Sequence, residues 1–514
     1  KRIWYSGEGG LGGNRFYVND PSGSTTLIAT PISGGSIPTK ASAAYKQNDL
    51  AFSYNGGTPY TGASQLIPSG IDILRIGQNP ASGNQFCGHI ARLRYYRKRL
   101  PNETLQLLSE PDPTLNLQFA LNKSLTPVAG PAPSFSRAST GTYFNASGVL
   151  TSASINTPRF DHVYSGGQWV SKGLLVEEQR TNAFQWSEDF SNAFWTKLNA
   201  SIATSSGTSP DGTNTANKIT DDSTNGTHRI YRVNVGTAGQ PCTTSFYLKA
   251  GTARYAIVLN SDNNDWRAYA VADLQTGTIT QNGVMVAATG ASYIGSSITN
   301  CGDGWYRVSV SGTNQNGDAN YYGQVALSNS ATPGTIPSYI GTGSYIYAVM
   351  AQMELNSSFP TSYIKTTSST VTRSADVCQI TGTSFNWMWN QGEGSVVAEW
   401  DARRNSGGQF TVYWARDAAS SNTVLHTGRE ALSPPGVRFS VVSSASVSAE
   451  IINAGFPDPG VQTKTAGCYK ANDFAYAYNG ALVGTDASGA VPINPTDITI
   501  GYDPYSNYLN GHIA

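Results

Sequence analysis

Strict alternation of apolar and polar positions marks two segments of the chain, HRIYRV at 228–233 and WYRVSV at 305–310. Because successive side chains of a strand point to opposite faces, this pattern predicts strands with one buried face. Apolar runs, SFYL at 245–248 and SYIYAV at 344–349, predict strands that are more deeply buried. Asn-Gly and Asp-Gly pairs, which favour tight turns, separate such segments. Many short strands divided by turns predict an all-β chain of sandwiches or barrels.

One segment departs from this pattern and predicts a short helix, LPNETLQLL at 100–108. Pro101 stands where an early helical proline is tolerated, and Leu105 and Leu108 recur at the spacing of one helical face.

The two ends of the sequence are copies of each other. YKQNDLAFSYNG at 45–56 recurs as YKANDFAYAYNG at 469–480, an offset of 469 − 45 = 424. Such a repeat indicates that one kind of domain occurs twice. Two shorter matches share an offset of 423, namely GHIA at 88–91 and 511–514, and RF at 15–16 and 438–439.

The repeat predicts that the sequence is a window on a longer modular protein, because Lys1 corresponds to Val424 and Ala514 to Ala91. We therefore expect chain outside the window, or a neighbouring subunit, to complete both end domains. The expected organisation is one copy of the repeated domain lacking its beginning (1–110), a Pro-rich linker and docking segment (111–180), a second kind of β-sandwich (181–375) and the other copy of the repeated domain lacking its end (376–514).

The amino-acid composition argues against several classes of binding partner and metal site. Charged residues make up 13% of the chain and the formal net charge is zero, so nothing favours nucleic acid or an anionic membrane surface. No apolar run approaches the ~20 residues that a membrane-spanning helix needs. The five cysteines are scattered without a CxxC pair, which argues against a disulfide framework or a zinc site. Cys242 and Cys301 fall in one expected domain; pairing is one interpretation and buried free thiols the favoured one.

Two strings characterise the repeated domain: FCGHIARLRYY at 86–96, which leads into the short helix, and DLAFSYNG at 49–56, which runs into an Asn-Gly hairpin. With these strings both copies, 1–110 and 376–514, resemble laminin-G/concanavalin-A-like lectin domains. The resemblance implies a jelly-roll sandwich of two antiparallel sheets. Relatives divide into binding proteins and glucanases, and the glucanases carry Glu-x-Asp-x-x-Glu on one strand.

This chain has EWDARR at 399–404, in which Arg404 replaces the third acid. The general acid is therefore missing, and a surface strand with alternating charges is the favoured interpretation of Glu399 and Asp401.

Six strings in the middle of the chain occur in a characteristic order: FSRAST (135–140), PRFDH (158–162), GLLVEEQRTN (173–182), WSEDF (186–190), FPTSYI (359–364) and TRSAD (372–376). With these strings the middle of the chain closely resembles a module of bacteriophage virion proteins, and the block 189–355 is similar to galactose-binding-like, carbohydrate-binding jelly rolls. This resemblance implies a phage surface appendage such as a tail fibre, commonly a homotrimer, and no catalytic residues.

Two groups of polar residues are weaker candidates for chemistry. Glu177 and Glu178 lie near Arg180, with Asp161 and His162 upstream; an acid/base pair is one interpretation, and an ion-pair cluster where the linker docks on the sandwich is favoured. Asp262 and Asp265 lie in a polar loop that offers oxygen ligands for Ca²⁺, although an ordinary turn is favoured. We expect no other cofactor and no catalytic residue.

Aromatic residues in polar loops are candidates for sugar binding, because sugar rings stack their C–H faces on exposed tyrosine and tryptophan. Simple packing remains the competing interpretation at each position. The candidates are Trp266, Tyr321 and Tyr322 in the middle domain, and Tyr502, Tyr505 and Tyr508 on a Pro-containing loop of the second lectin-like domain.

The sequence thus predicts a non-enzymatic, extracellular phage virion protein that binds host cell-surface polysaccharide during adsorption and contacts other virion proteins. Repeated weak binding modules gain avidity when several engage one polysaccharide. Two alternatives stay open: a purely structural capsid fibre, decoration or spacer, and a polysaccharide depolymerase.

Overall fold

The chain folds into two compact units, Lys1–Thr114 and Leu115–Ala514. The structure is a computed structural model. It describes residues 2–8, 13–20, 23–29, 40–63, 67–71, 73–77, 90, 92–109, 113–262, 267–285, 291–314, 317–403, 409–417, 424–430 and 436–514.

The first unit contains two small antiparallel sheets, ordered β1-β2-β3 and β4-β5-β6 among its described strands. The predicted helix is confirmed as α1, and it buries Leu105 against Ala44 and Ala51 of the second sheet. Phe16 and Phe52 stack with ring centroids 6.2 Å apart in the core. Its elements are β1 (Arg2–Glu8), β2 (Gly13–Asp20), β3 (Gly23–Ala29), β4 (Ala41–Lys46), β5 (Asp49–Tyr54), β6 (Tyr60–Gly62) and α1 (Asn102–Ser109).

The second unit holds two β-sandwiches, and the chain enters the first, leaves it for the second and then returns. The entering elements are α2 (Phe119–Asn122), β7 (Ser134–Ser136), β8 (Gly141–Phe144), β9 (Leu150–Ala153), β10 (Phe160–Ser165), β11 (Gln168–Val176) and β12 (Arg180–Asn182).

The inserted sandwich, built from residues 196–355, has two antiparallel sheets, ordered β13-β17-β24-β19-β20-β21 and β14-β15-β26-β18-β23-β22. Buried Phe246, Val258 and Val308 join the two sheets in one apolar core. The four strands predicted from alternation and apolar runs lie in β17, β18, β23 and β26, which confirms them. The elements are β13 (Thr196–Leu198), β14 (Ala200–Ala203), β15 (Asn217–Asp221), β16 (Asn225–Gly226), β17 (Arg229–Val235), β18 (Pro241–Ala250), β19 (Tyr255–Ser261), β20 (Arg267–Asp273), β21 (Thr278–Val284), β22 (Ser292–Asn300), β23 (Trp305–Thr313), β24 (Asn320–Ser328), β25 (Tyr339–Ile340) and β26 (Tyr345–Leu355). After it, β27 (Val371–Arg373) pairs with β12 in a separate two-stranded sheet.

The outer sandwich, built from residues 134–176 and 377–513, has sheets ordered β10-β11-β38-β29-β34-β35-β36 and β33-β32-β31-β30-β37-β28-β7 among its described strands. Buried Trp400 and Phe439 belong to opposite sheets of one core. Its remaining elements are β28 (Val377–Thr381), α3 (Gly382–Met388), β29 (Glu393–Ala402), β30 (Phe410–Arg416), β31 (Val424–Glu430), β32 (Gly436–Ser443), β33 (Ser446–Ala454), β34 (Thr463–Lys470), β35 (Asp473–Tyr478), β36 (Ala481–Asp486), β37 (Asp497–Ile500) and β38 (Gly511–Ile513).

The segment 111–180 is not a linker, which corrects the sequence prediction. Its strand β7 pairs with β28 through Phe135 and Cys378, and β11 pairs with β38 through Leu175 and His512. This segment thus adds β7 to one sheet of the outer sandwich and both β10 and β11 to the other. The sandwich expected to be completed from outside the window therefore draws strands from the same chain.

The repeat is visible as repeated geometry. Asn55 and Gly56 have φ of 45° and 75°, and Asn479 and Gly480 have φ of 47° and 83°. Positive φ at both turn residues is what a tight β-hairpin of this kind requires. The Phe16–Phe52 ring pair also recurs, as Phe439 stacked on Tyr476 at 6.0 Å.

Candidate functional site

Five charged residues of the strings in the middle of the chain meet in one fully buried cluster, named here the charge network: Arg137, Arg159, Glu177, Arg373 and Asp376. Arg159 joins the two acids, with Nη1 2.8 Å from Glu177 Oε2 and Nη2 against Asp376 Oδ2. Arg137 Nη1 lies 3.0 Å from the other Asp376 oxygen, and Arg373 Nη1 lies 2.7 Å from Glu177 Oε2. The network links the entry of the inserted sandwich to its exit.

Backbone groups complete the charge network. The Glu177 amide donates to Asp376 Oδ2 at 2.9 Å, and the Asp376 amide donates to the Glu177 carbonyl at 3.0 Å. Glu177 also accepts the Ser362 amide at 2.7 Å and the Ser362 hydroxyl at 2.6 Å. Burial alone would raise the pKa of Glu177, but Arg373, Arg159 and Arg403 hold that pKa well below its usual range. Glu177 is therefore an ionised structural acceptor and cannot serve as a proton donor at neutral pH.

His512 forms a second buried bridge beside the network. Its Nδ1 lies 2.8 Å from Asp401 Oδ1, and its Nε2 lies 3.0 Å from Asp161 Oδ2. Arg403 joins this bridge to the network, with Nη2 3.0 Å from Asp161 and Nη1 3.3 Å from Glu177. Burial lowers the pKa of His512, but Asp401 and Asp161 outweigh burial and leave that pKa raised. An imidazolium that donates to two carboxylates at once fits this geometry.

The favoured interpretation of Glu177 as part of an ion-pair cluster is confirmed, since both carboxylate oxygens are occupied. Glu178 belongs to the periphery of this cluster and pairs with Arg180. His162 is also placed structurally, with its Nδ1 3.1 Å from the Phe144 carbonyl oxygen.

The acids of EWDARR are both engaged, and only one of them lies at the surface. Glu399 is 39% exposed and pairs with Lys464 at 2.6 Å. Asp401 is buried between His512 and Lys172, and these partners outweigh burial and lower its pKa to about 2. The expected surface strand is thus wrong at Asp401, which is a structural anion; Arg404 lies outside the described residues.

Two of the aromatic candidates in the inserted sandwich are placed in packed environments. Tyr321 is 1% exposed and donates its hydroxyl to the Thr237 and Gln240 carbonyls at 2.8 and 2.6 Å. Its ring is therefore core, which corrects its assignment as a sugar platform. Tyr322 is partly buried, with its ring 6.2 Å from that of Tyr231. Trp266 lies outside the described residues.

Of the two candidate calcium ligands, Asp262 and Asp265, the structure describes only Asp262. Asp262 is 5% exposed, and Asp265 lies outside the described residues. The part of the chain that the structure describes contains no group of three or more metal-binding side chains. Cys242 and Cys301 are buried free thiols in separate apolar clusters.

The loop between β37 and β38 gathers the three remaining tyrosines, as predicted. Tyr502 and Tyr508 stack with centroids 5.4 Å apart and planes 14° from parallel, and Tyr502 is buried. Tyr505 instead is 60% exposed, with its ring edge-to-face on the buried Trp414 at 6.1 Å. Among these three tyrosines, only Tyr505 presents an exposed ring, whereas Tyr502 and Tyr508 pack on each other.

Asp503 fixes the loop, a role that sequence reasoning missed. Its Oδ1 accepts the Tyr505 and Asn507 amides at 2.8 and 3.0 Å, and its Oδ2 accepts from Asn507 Nδ2 and the Thr411 hydroxyl at 2.9 Å each. The available signal was an aspartate two residues before a turn position, which favours side-chain bonds to the following amides.

A second exposed ring, Trp387, lies on α3 at 67% exposure and was also missed. Thr383, Ser384 and Pro131 surround it in an open depression. An exposed tryptophan on a short polar helix was the signal that could have identified it.

The fold and these sites define an all-β protein of tandem antiparallel sandwiches. No protein-family model matches the chain, and no curated protein matches it. Among solved structures, the chain is similar to domains LG4-5 of the mouse laminin alpha1 chain, with 10% identity, a TM-score of 0.17, and coverage of 55% of this chain and 84% of that one. A TM-score at this level carries no argument, so the fold class rests on the strand pairing. None of the helices in the described ranges is long and apolar enough to cross a membrane.

Proposed function

We propose that the chain is a non-enzymatic surface protein that binds glycans, and that Tyr505 is its main contact with the sugar. The observation that carries the proposal is the exposure of the Tyr505 ring on a loop that Asp503 holds through four hydrogen bonds. A rigid aromatic face loses little conformational entropy on binding, and it offers a stacking surface for sugar C–H groups. The side-chain Oδ1 of Asn507 on the same loop is the acceptor offered to sugar hydroxyls, because its Nδ2 already donates to Asp503 and Gln409.

The sequence resemblance supplies the setting of this proposal. A phage tail fibre or similar virion appendage meets bacterial surface polysaccharide, and a neutral chain suits a polymer that is recognised by stacking rather than by charge. Two related lectin-like domains on one chain would add avidity on a polymer. A trimeric assembly and contacts with other virion proteins belong to the same proposal.

The test is affinity electrophoresis of the chain in gels that contain purified bacterial capsular, O-antigen or teichoic-acid polysaccharides. We expect retarded migration with at least one polymer and normal migration of the heat-unfolded chain in that gel. Unchanged migration in every gel contradicts the proposal.

A structural spacer is the second candidate, and the charge network favours it. Buried ion pairs fix geometry when each partner is satisfied, and here they join the entry and exit of the inserted sandwich. On this alternative, the chain is a rigid segment of an appendage and no polysaccharide retards it.

A further inference from the structure

The β8–β9 hairpin and the segments 363–365 and 371–373 enclose a cavity of about 420 Å³, named here the seam pocket. Small-molecule sites commonly measure about 300–1,000 Å³, so this volume admits a small ligand. The pocket lies beside the charge network, since Arg373 belongs to both. It shares no lining residue with the Tyr505 loop.

Two acids, Glu188 and Asp211, and two bases, Lys365 and Arg373, line the seam pocket. Glu188 is held in place, because its Oε1 accepts the Tyr363 hydroxyl at 3.1 Å and its Oε2 lies 2.6 Å from Lys365 Nζ. An ionised carboxylate offers about four acceptor positions, so Glu188 keeps capacity for ligand hydroxyls. Because Lys365 already pairs with Glu188 and Arg373 with Glu177 of the charge network, the pocket favours a neutral ligand over an anion.

The other walls combine hydroxyl and apolar surface. Ser139, Thr140 and Ser152 supply hydroxyls, while Leu150 and Met350 supply hydrocarbon. A sugar ring carries hydroxyls at its edge and C–H groups on its faces, so it matches both kinds of wall.

We propose that the seam pocket binds one neutral saccharide unit, with Glu188 accepting its hydroxyls. The ligand class rests on the proposed function, but the site is separate from Tyr505. A cavity of about 420 Å³ suits a short saccharide, whereas the exposed Tyr505 ring suits an extended polymer. The chain thus has a pocket for a single sugar as well as a stacking platform.

The first test fills the pocket. Ser152→Trp places a large ring at an exposed position that lines the pocket, and Ser154→Trp is the matched control at an exposed position outside it. Isothermal titration with glucose, galactose, mannose, rhamnose, N-acetylglucosamine and their disaccharides measures binding to each chain. We expect one of these sugars to bind the unmodified chain, and Ser152→Trp to weaken it at least about tenfold while Ser154→Trp does not. Absence of binding by all sugars, or equal binding by both variants, overturns the proposal.

The second test removes the acceptor charge without filling space. Glu188→Gln keeps the shape of the side chain, and Glu399→Gln is the control because Glu399 forms a lysine pair of the same 2.6 Å length. We expect roughly tenfold weaker sugar binding only for Glu188→Gln. Unchanged binding overturns the role of Glu188.

The experiments can overturn sugar binding in the seam pocket and polysaccharide binding at Tyr505 independently of each other. Tyr505→Ala is expected to leave short-sugar binding unchanged, because Tyr505 does not line the pocket. Retardation by polysaccharide without short-sugar binding overturns the seam pocket alone. Short-sugar binding without retardation overturns the proposed function at Tyr505 alone.

Discussion

The imidazole of His512 lies 2.8 Å from the carboxylate of Asp401, and the His512 backbone amide donates to the same oxygen at 3.2 Å. This pair joins β38 to β29, and the opposite ring nitrogen contacts Asp161 of β10. Three strands of one sheet therefore depend on the charge of one buried side chain.

Stability should fall as pH rises above the usual histidine range. The pKa of His512 is raised in the folded chain, so its stabilising charge is fully present below the unfolded value of about 6.5 and is lost as pH rises through the folded value. Arg403, whose pKa is raised, and Glu177, whose pKa is lowered, keep their charges across that range. Urea midpoints measured from about pH 5 to about pH 9 should decline over the upper part of this range. His512→Gln should lack this decline; an equal decline in that variant would assign the effect to other groups.

Acid should also weaken the contacts of His512, because it protonates the carboxylates of Asp161 and Asp401. Burial raises the pKa of Asp161 and Asp401, but His512 and other cations leave both lowered, to about 2 for Asp401. Their contribution is present above the unfolded value of about 3.9 and is lost as pH falls through the folded values. Asp401→Asn should reduce the loss of stability between about pH 4 and about pH 2, measured by the urea midpoint.

Removing one partner of the charge network should cost far more than removing a surface charge. Arg159→Met leaves Glu177 and Asp376 buried with fewer cationic partners, which predicts a loss of about 3–5 kcal/mol. The control Lys464→Met removes an exposed partner of Glu399 and should cost about 0–1 kcal/mol. Urea unfolding of both variants measures the difference, and equal losses would mean that the network is energetically neutral.

The repeated ring pair predicts a tight packing constraint. A Cβ at Gly467 would lie 2.4 Å from the Phe439 ring, which stacks on Tyr476. Gly467→Ala should therefore destabilise the chain by about 1–3 kcal/mol through overpacking. Gly392→Ala is the control, because its nearest contact would be an ordinary 3.6 Å. Thermal unfolding measures the stability of both variants. Equal stability would show that the Phe439 and Tyr476 rings shift at little energetic cost.

Asp503 should affect glycan binding without touching the glycan. Asp503→Ala removes the acceptor for the Tyr505 and Asn507 amides and should loosen the Tyr505 ring. We expect polysaccharide affinity to fall by roughly tenfold, and Asp503→Asn to retain part of it because the amide oxygen still accepts. Asp486→Ala is the control, since Asp486 accepts the Ser488 amide and hydroxyl in a similar turn. A loss in the control as large as that in Asp503→Ala would contradict a local role.

Local sequence patterns predicted the elements well and their distant partners poorly. The alternating strands, α1 and the Asn-Gly turns depend on neighbouring residues, and all were predicted. The pairing of Phe135 with Cys378 spans more than 240 residues, so no local period reveals it and the segment read as a linker. The same distance hides the partners of Arg137, whose carboxylate partner is Asp376.

The burial of single aromatic residues likewise could not be predicted from the sequence. Tyr321 and Tyr505 both stand near turn residues, yet one is 1% and the other 60% exposed. The difference arises because Tyr321 lies in β24 under the carbonyls of Thr237 and Gln240, whereas the Asp503 turn projects Tyr505 outward.

The most direct test of the central claim compares the affinity of the unmodified chain and Tyr505→Ala for a polysaccharide that retards the chain. Tyr60→Ala is the control, an exposed tyrosine on β6 at 40%. We predict at least about tenfold weaker binding for Tyr505→Ala and unchanged binding for Tyr60→Ala, with equal thermal stability. Unchanged affinity of Tyr505→Ala would contradict the account.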